Sequence, residues 1–148
     1  MNADALALLA RDADACTRCT LAQSRTHVVF GTGTPDARIL FVGEAPGFWE
    51  DRRGIPFCGK AGKVLDRLLA GIHLTRESVY IANILKCRPP GNRDPQPAEI
   101  TACTHWLDRQ IEIIRPEVIC CLGRHSIRFI LERFGFPPAE AISRIHGK

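Results

Sequence analysis

Ile39-Leu40-Phe41-Val42-Gly43-Glu44-Ala45-Pro46-Gly47 is a short apolar run of strand character that breaks into a glycine- and proline-rich loop. In α/β proteins a loop at the carboxyl end of a parallel strand is where ligands bind. Gly43 and Gly47 permit a tight turn and a close approach of backbone to a flat ligand. Pro46 stiffens the turn. The loop runs on through Glu50-Asp51 to Gly54-Ile55-Pro56-Phe57-Cys58-Gly59-Lys60-Ala61-Gly62. So long a loop inside a compact domain marks function. Phe57, between Pro56 and glycines, reads either as a core anchor or as a stacking platform for a planar ring. Cys58 reads as packing.

Outward from this stretch the chain alternates. Residues 63–70 predict a helix with Val64, Leu65, Leu68 and Leu69 on one face, capped by Gly71. Residues 79–85 form a second strand, followed by Lys86-Cys87-Arg88-Pro89-Pro90-Gly91-Asn92-Arg93. Asn83 is polar within that apolar strand. A buried amide must be hydrogen-bonded, so it is either satisfied by backbone or points into a ligand crevice. Residues 98–115 predict a helix with Ile100, Cys103, Leu107, Ile111 and Ile114 inward. Residues 118–122 form a third strand, expected to be buried on both faces, with Cys120 and Cys121 as small buried residues. A helix over 124–134 follows, and the tail from 136 onward has the makings of one more strand. Upstream, residues 3–14 predict an amphipathic helix, 26–30 a short strand and 31–36 a turn. Strand–helix alternation of this kind specifies an α/β fold, a parallel sheet with crossover helices. Its motif loops gather at one crevice.

The 148 residues suffice for one domain with a core. A net charge of +4 permits a polyanionic partner without demanding one. No apolar run spans a membrane. No basic stretch precedes residues 5–10, as a secretory signal would require. The expectation is a monomeric cytoplasmic protein. Seven cysteines in a reducing compartment read as metal ligands or small buried residues rather than disulfides. Cys16-Thr17-Arg18-Cys19 is a C-x-x-C pair without the preceding βαβ unit of a redox motif. With Cys87 and Cys103 it makes a plausible ligand set. Zinc sites usually show two close pairs, and the wide second spacing favours an iron–sulfur cluster.

Taken together, the four cysteines, Gly43-Glu44-Ala45-Pro46-Gly47 with Glu50-Asp51, residues 56–62, and Asn83 followed by Lys86-Cys87-Arg88-Pro89-Pro90 closely resemble the type-4 uracil-DNA glycosylases, the iron–sulfur branch of that superfamily. The resemblance runs from Cys16 to Lys148. It implies a four-stranded parallel sheet between helices, an α/β/α sandwich. It also implies a [4Fe-4S] cluster on Cys16, Cys19, Cys87 and Cys103 acting as a structural clip. The implied activity is excision of uracil from DNA after base flipping. Phe57 would stack on the uracil. Asn83 would accept from N3–H and donate to O4. Glu50 would crowd C5 and exclude thymine's methyl. Backbone around Glu44 and Ala45, beside Gly43, would hold the O2 side, where charge develops. Glu44, Glu50 and Asn83 are the side chains expected to serve the chemistry, and Lys60, Arg88 and Arg93 to meet phosphates.

Three departures accompany the resemblance. Ala45 stands where better-known uracil glycosylases carry an aspartate that orients water, and Cys58 stands where valine is frequent. Family members continue past the point matching Lys148, into a fourth strand and a His-Pro-containing loop, and His146 is not that histidine. Residues 1–148 are therefore expected to be a single uracil-DNA glycosylase-like domain, C-terminally incomplete. Two other readings are a non-catalytic iron–sulfur DNA-binding module and a zinc-bound nucleotide-binding protein.

Overall fold

The computed structural model describes residues 1–138 and 141–147. In chain order the elements are α1 (Asn2–Asp14), α2 (Leu21–Ser24), β1 (Thr32–Gly33), β2 (Ile39–Gly43), α3 (Phe48–Arg53), α4 (Lys60–Gly71), β3 (Tyr80–Asn83), α5 (Pro97–Ile114), β4 (Val118–Cys121), α6 (Arg124–Arg133) and α7 (Ile142–Ile145). The sheet order is β1-β3-β2-β4. β2 pairs in parallel with β3 on one side and β4 on the other.

Period-two alternation sorts the strand side chains onto two faces. Leu40, Val42, Tyr80 and Ala82 face α1, α5 and α6 in the larger core, with Leu6, Leu107 and Ile130. Phe41 and Ile81 face the other way, onto Leu65 and Leu69 of α4. The connection from β2 to β3 thus crosses one face. The connection from β3 back past β2 to β4 crosses the opposite one, as right-handed crossovers in opposite directions require.

The α/β class is as expected, with four corrections. The sheet is mixed, because β1 runs antiparallel to β3. The strand expected over 26–30 lies instead at Thr32–Gly33, since the backbone at residues 26 and 27 donates to the Asp51 carboxylate. The long motif loop contains a helix, α3. The tail has a helical turn, α7, where a strand was anticipated, and residues 139, 140 and 148 lie outside the described residues.

Helix faces are also rotated from the expected stripes. Of the apolar stripe expected on α4, Leu65 and Leu69 are buried, while Val64 and Leu68 are exposed. On α5 the buried set includes Trp106 and Gln110 rather than Ile111. β4 is half-exposed rather than covered on both faces, and Val118 is 54% exposed. No helix among the described residues is long and apolar enough to cross a membrane.

The core assignment has a direct check. Leu107 is fully buried and Leu68 is 64% exposed. Leu107→Ala is expected to cost about 2–5 kcal/mol in urea unfolding. Leu68→Ala is expected to stay within about 0.5 kcal/mol.

Candidate functional site

The register of β2 on β3 sets Gly43 opposite Asn83 at the carboxyl ends of both strands. Just beyond, Ile84 and Leu85 donate N–H bonds to the Gly43 and Glu44 carbonyls at 3.0 Å each, which carries the pairing into the motif loop. Gly43 is required here by space. A Cβ on it would lie 2.4 Å from Phe57 Cζ and 2.5 Å from Asn83 Oδ1. Phe57, Asn83 and Gly43 therefore meet at one point.

Asn83 is 2% exposed, and its Oδ1 has no hydrogen-bond partner among the described residues. An orphaned buried acceptor costs about 1–3 kcal/mol. Such a group calls for a donor from outside the described residues, a water or a ligand. Of the two readings of Asn83, satisfaction by backbone leaves this oxygen unmet among the described residues.

Phe57 has φ 51°, a left-handed conformation that is strained for a bulky residue. Two groups hold it there. Arg76 donates to the Phe57 carbonyl and to the Pro56 carbonyl (2.9 Å), and is itself paired with Asp66. Glu50 accepts from Cys58 N–H at 2.9 Å and Gly59 N–H at 2.7 Å with one oxygen, and from Gly47 N–H at 3.0 Å with the other. The Glu50 carboxylate thus staples both ends of the motif loop together. Burial pushes its carboxyl pKa up, but the bonds from Gly59 and Cys58 outweigh this and hold it below the ordinary value. The neighbouring Asp51, also buried, anchors α3 to the backbone of Thr26 and His27.

Glu44 is half-buried at the crevice mouth, and Ala45 packs at the edge of the larger core. His125 Nε2 lies 3.8 Å from the Glu44 carboxylate and 3.8 Å from that of Asp94. Of the three cationic side chains expected at phosphates, Lys60 is exposed at the start of α4. Arg88 bonds Asn92 Oδ1 at 2.7 Å. Arg93 forks onto Glu99 at 2.7 and 2.8 Å, and that carboxylate also caps α5 through Gln96 N–H.

The four cysteines come together. Cys16, Cys19, Cys87 and Cys103 line one small pocket, with Arg18, Arg25, Lys86 and Trp106. Burial pushes the Cys103 thiol up to about 11 and the Cys87 thiol up as well, against the opposing pull of Lys86 N–H and Arg25. Arg25 Nη1 lies 3.5 Å from Cys87 Sγ, and Lys86 N–H is 3.3 Å from Cys103 Sγ. Four cysteines, two of them buried, with Arg18, Arg25 and Lys86 in the same lining suit a group that ligation by deprotonated sulfur would hold. The sulfurs are not gathered as a single ion demands. A tetrahedral zinc at about 2.3 Å from each sulfur brings them to about 3.8 Å apart. Among the described residues the grouping of ligand atoms within 4.8 Å of one another is Glu44, Asp94 and His125, and not the cysteines.

Between these centres lies Lys86, the largest fully buried side chain. Its Nζ donates to the Asn83 carbonyl at 2.9 Å and to Gln110 Oε1 at 2.7 Å. Burial lowers its pKa to about 7. Arg25, Arg76, Lys86 and His125 were not singled out from sequence. No local pattern marks them, because their partners are 17 to 81 residues away in most cases, as Lys86 to Gln110 (24) and Glu44 to His125 (81) illustrate.

The Glu50 staple predicts a sign for pH. Its folded pKa lies below the ordinary 4.5, so its stabilisation is complete above that value and is lost as pH falls through the folded one. Glu50→Ala is expected to lose about 1–3 kcal/mol at neutral pH and to speed amide exchange at Cys58 and Gly59. Unchanged exchange at both amides would contradict the staple.

The sequence model of the Uracil DNA glycosylase superfamily matches residues 30–146. A type-4 uracil-DNA glycosylase of Archaeoglobus fulgidus is 51% identical over 140 residues, covering 95% of this chain and 70% of the relative. Type-4 enzymes of Sulfurisphaera tokodaii and Saccharolobus solfataricus are 48% and 47% identical over 146 residues each, covering 98% of this chain and 66% and 67% of theirs. The chain spans about two thirds of the length of these relatives. With a glycine, a strained phenylalanine and an orphaned asparagine acceptor meeting beside a four-cysteine pocket, the chain belongs to the uracil DNA glycosylase superfamily, in its type-4 branch.

Proposed function

We propose that the protein excises uracil from DNA by hydrolysing the N-glycosidic bond of an extruded nucleotide. The observation that carries this reading is the unpartnered, buried Asn83 Oδ1 beside Phe57 and Gly43. Uracil offers N3–H to that acceptor, and its O4 accepts from the Asn83 amide nitrogen. Cytosine offers an acceptor and a donor in the reverse order, so both contacts fail. Each unmet buried group costs about 1–3 kcal/mol, roughly 10- to 100-fold in discrimination. The Phe57 ring stacks on the base from a turn pre-set by Arg76 and Glu50, so little is lost in ordering it on binding. Glu50, with its oxygens held by three N–H groups, walls the C5 side.

The leaving uracil carries away negative charge through O2, and backbone at Glu44 and Ala45 faces that charge. Glu44 is the half-exposed carboxylate at the mouth, the group to which an attacking water has access. Ala45 has no side chain that can orient it. Lys60 and Arg88 meet backbone phosphates. Arg93, forked onto Glu99, contributes through whatever donors that bond leaves over.

Cys16, Cys19, Cys87 and Cys103 would hold a [4Fe-4S] cluster, which supplies thiolate cross-linking rather than reaction chemistry. The residues fit such a group, and it would tie the N-terminal segment to the Pro-rich loop. Lys86 would couple that tie to the Asn83 carbonyl.

Two measurements test the reading. In single-turnover assays on uracil-containing oligonucleotides, Asn83→Asp should slow excision by about 10²-fold or more, with a small gain toward cytosine. Survival of the rate within a few-fold would make Asn83 a structural amide. Cys87→Ala and Cys103→Ala should each abolish the brown colour of the purified protein, lower its iron content and reduce its melting temperature sharply. Undiminished iron in either variant would remove that cysteine from the ligand set.

A further inference from the structure

We propose that Phe48 and Trp49, with Arg52, Arg53 and Arg88, form a stacking platform for an unpaired nucleobase of single-stranded DNA next to the extruded uracil. The identity of the strand rests on the uracil-excision reading, whereas the stacking can be measured without it.

The two rings are adjacent on α3, the helix that begins where the Gly43–Gly47 motif ends. They are 42% and 51% exposed, and their centroids lie 5.1 Å apart at 86°. The fold does not need them. α3 is anchored through its two carboxylates, Glu50 to the Gly47, Cys58 and Gly59 amides and Asp51 to the Thr26 and His27 amides. That leaves two large aromatic side chains on a rigidly held helix with no core to fill. Paired exposed rings of this kind mark a binding surface.

The surroundings identify the ligand. The Arg52 guanidinium sits 5.1 Å from the Phe48 ring centroid and that of Arg88, from the Pro-rich loop, 5.4 Å. Arg53 lies 5.4 Å from the Trp49 centroid. None of the three is in an ion pair among the described residues. The guanidiniums lie over the rings; a strand that draws them onto its phosphates bares the aromatic faces to its bases, which suits single-stranded nucleic acid, a polyanion with π-surfaces. A paired base inside a duplex has both faces covered and cannot use the platform.

Trp49 also adjoins the pocket. A Cβ on Gly59 would stand 3.8 Å from Trp49 Cδ1 and 3.2 Å from Glu50 Oε2. Trp49 therefore packs beside the turn that carries Phe57, at Gly59. A strand with its uracil in the pocket passes over these rings on leaving it.

The chain has two tryptophans, and the other, Trp106, is buried. Titration of the whole, cluster-bearing protein with uracil-free oligothymidylate should quench tryptophan fluorescence, and Trp49→Phe should abolish the quench. The double variant Phe48→Ala, Trp49→Ala should weaken oligothymidylate binding about 10- to 100-fold and duplex binding far less. Arg52→Gln with Arg53→Gln should flatten the salt dependence of single-strand binding by about 0.7 in log–log slope for each phosphate no longer neutralised.

Equal affinity of the double variant and the parent for oligothymidylate overturns the platform, even if the parent excises uracil. A parent that fails to excise uracil but shows the quench and the weakened binding on substitution overturns the excision reading and leaves the platform standing. Self-association of the parent that the double variant abolishes, without any change in DNA binding, also overturns it and makes the patch a protein contact.

Discussion

One cross-strand pair controls the crevice: Gly43 of β2 set opposite Asn83 of β3. Slipping the register by one residue would turn Asn83 to the other face of the sheet and bring a side chain where Phe57 now lies. The register is secured from both ends. Below it, Leu40, Phe41, Tyr80 and Ile81 are buried on opposite faces against different helices. Above it, the Ile84 and Leu85 amides bond the Gly43 and Glu44 carbonyls. The unmet acceptor of Asn83 can then be tolerated, because the rest of the structure more than compensates one such group.

The loop around that pair is organised by carboxylates that accept backbone N–H bonds. Glu50 closes the turn that holds Phe57 in its left-handed conformation, and Asp51 fixes α3 against the segment before β1. Glu99 does the same at the start of α5, where Arg93 holds its carboxyl below the ordinary carboxylate value. Each replaces water at amides that no helix or strand would satisfy. The lowered pKa of Glu50 is therefore a property of loop architecture.

Lys86 connects the two halves of the molecule. Its amide reaches Cys103, its carbonyl accepts from Val29, and its ammonium reaches the Asn83 carbonyl and Gln110. Gln110 in turn donates to the Phe30 carbonyl. The cysteine pocket and the carboxyl end of β3 are thus linked through one buried residue.

By itself the sequence determined the α/β alternation, the two motif loops and the four-cysteine set, because each is written in local terms. Strand and helix periods, Gly/Pro punctuation and C-x-x-C spacing need no distant partner to be read. It also singled out Phe57 and Asn83 as residues with two possible roles, and left each open. Tertiary structure alone decided the antiparallel edge strand, the half-used apolar face of α4 and the helix hidden in the motif loop. It decided too that Glu50 staples the Phe57 turn and that Lys86 reaches the Asn83 carbonyl. The physical reason is the same throughout. Which face of a helix is buried, and which donor meets which acceptor, depends on groups brought close by the fold from far along the chain, and no short pattern encodes that proximity.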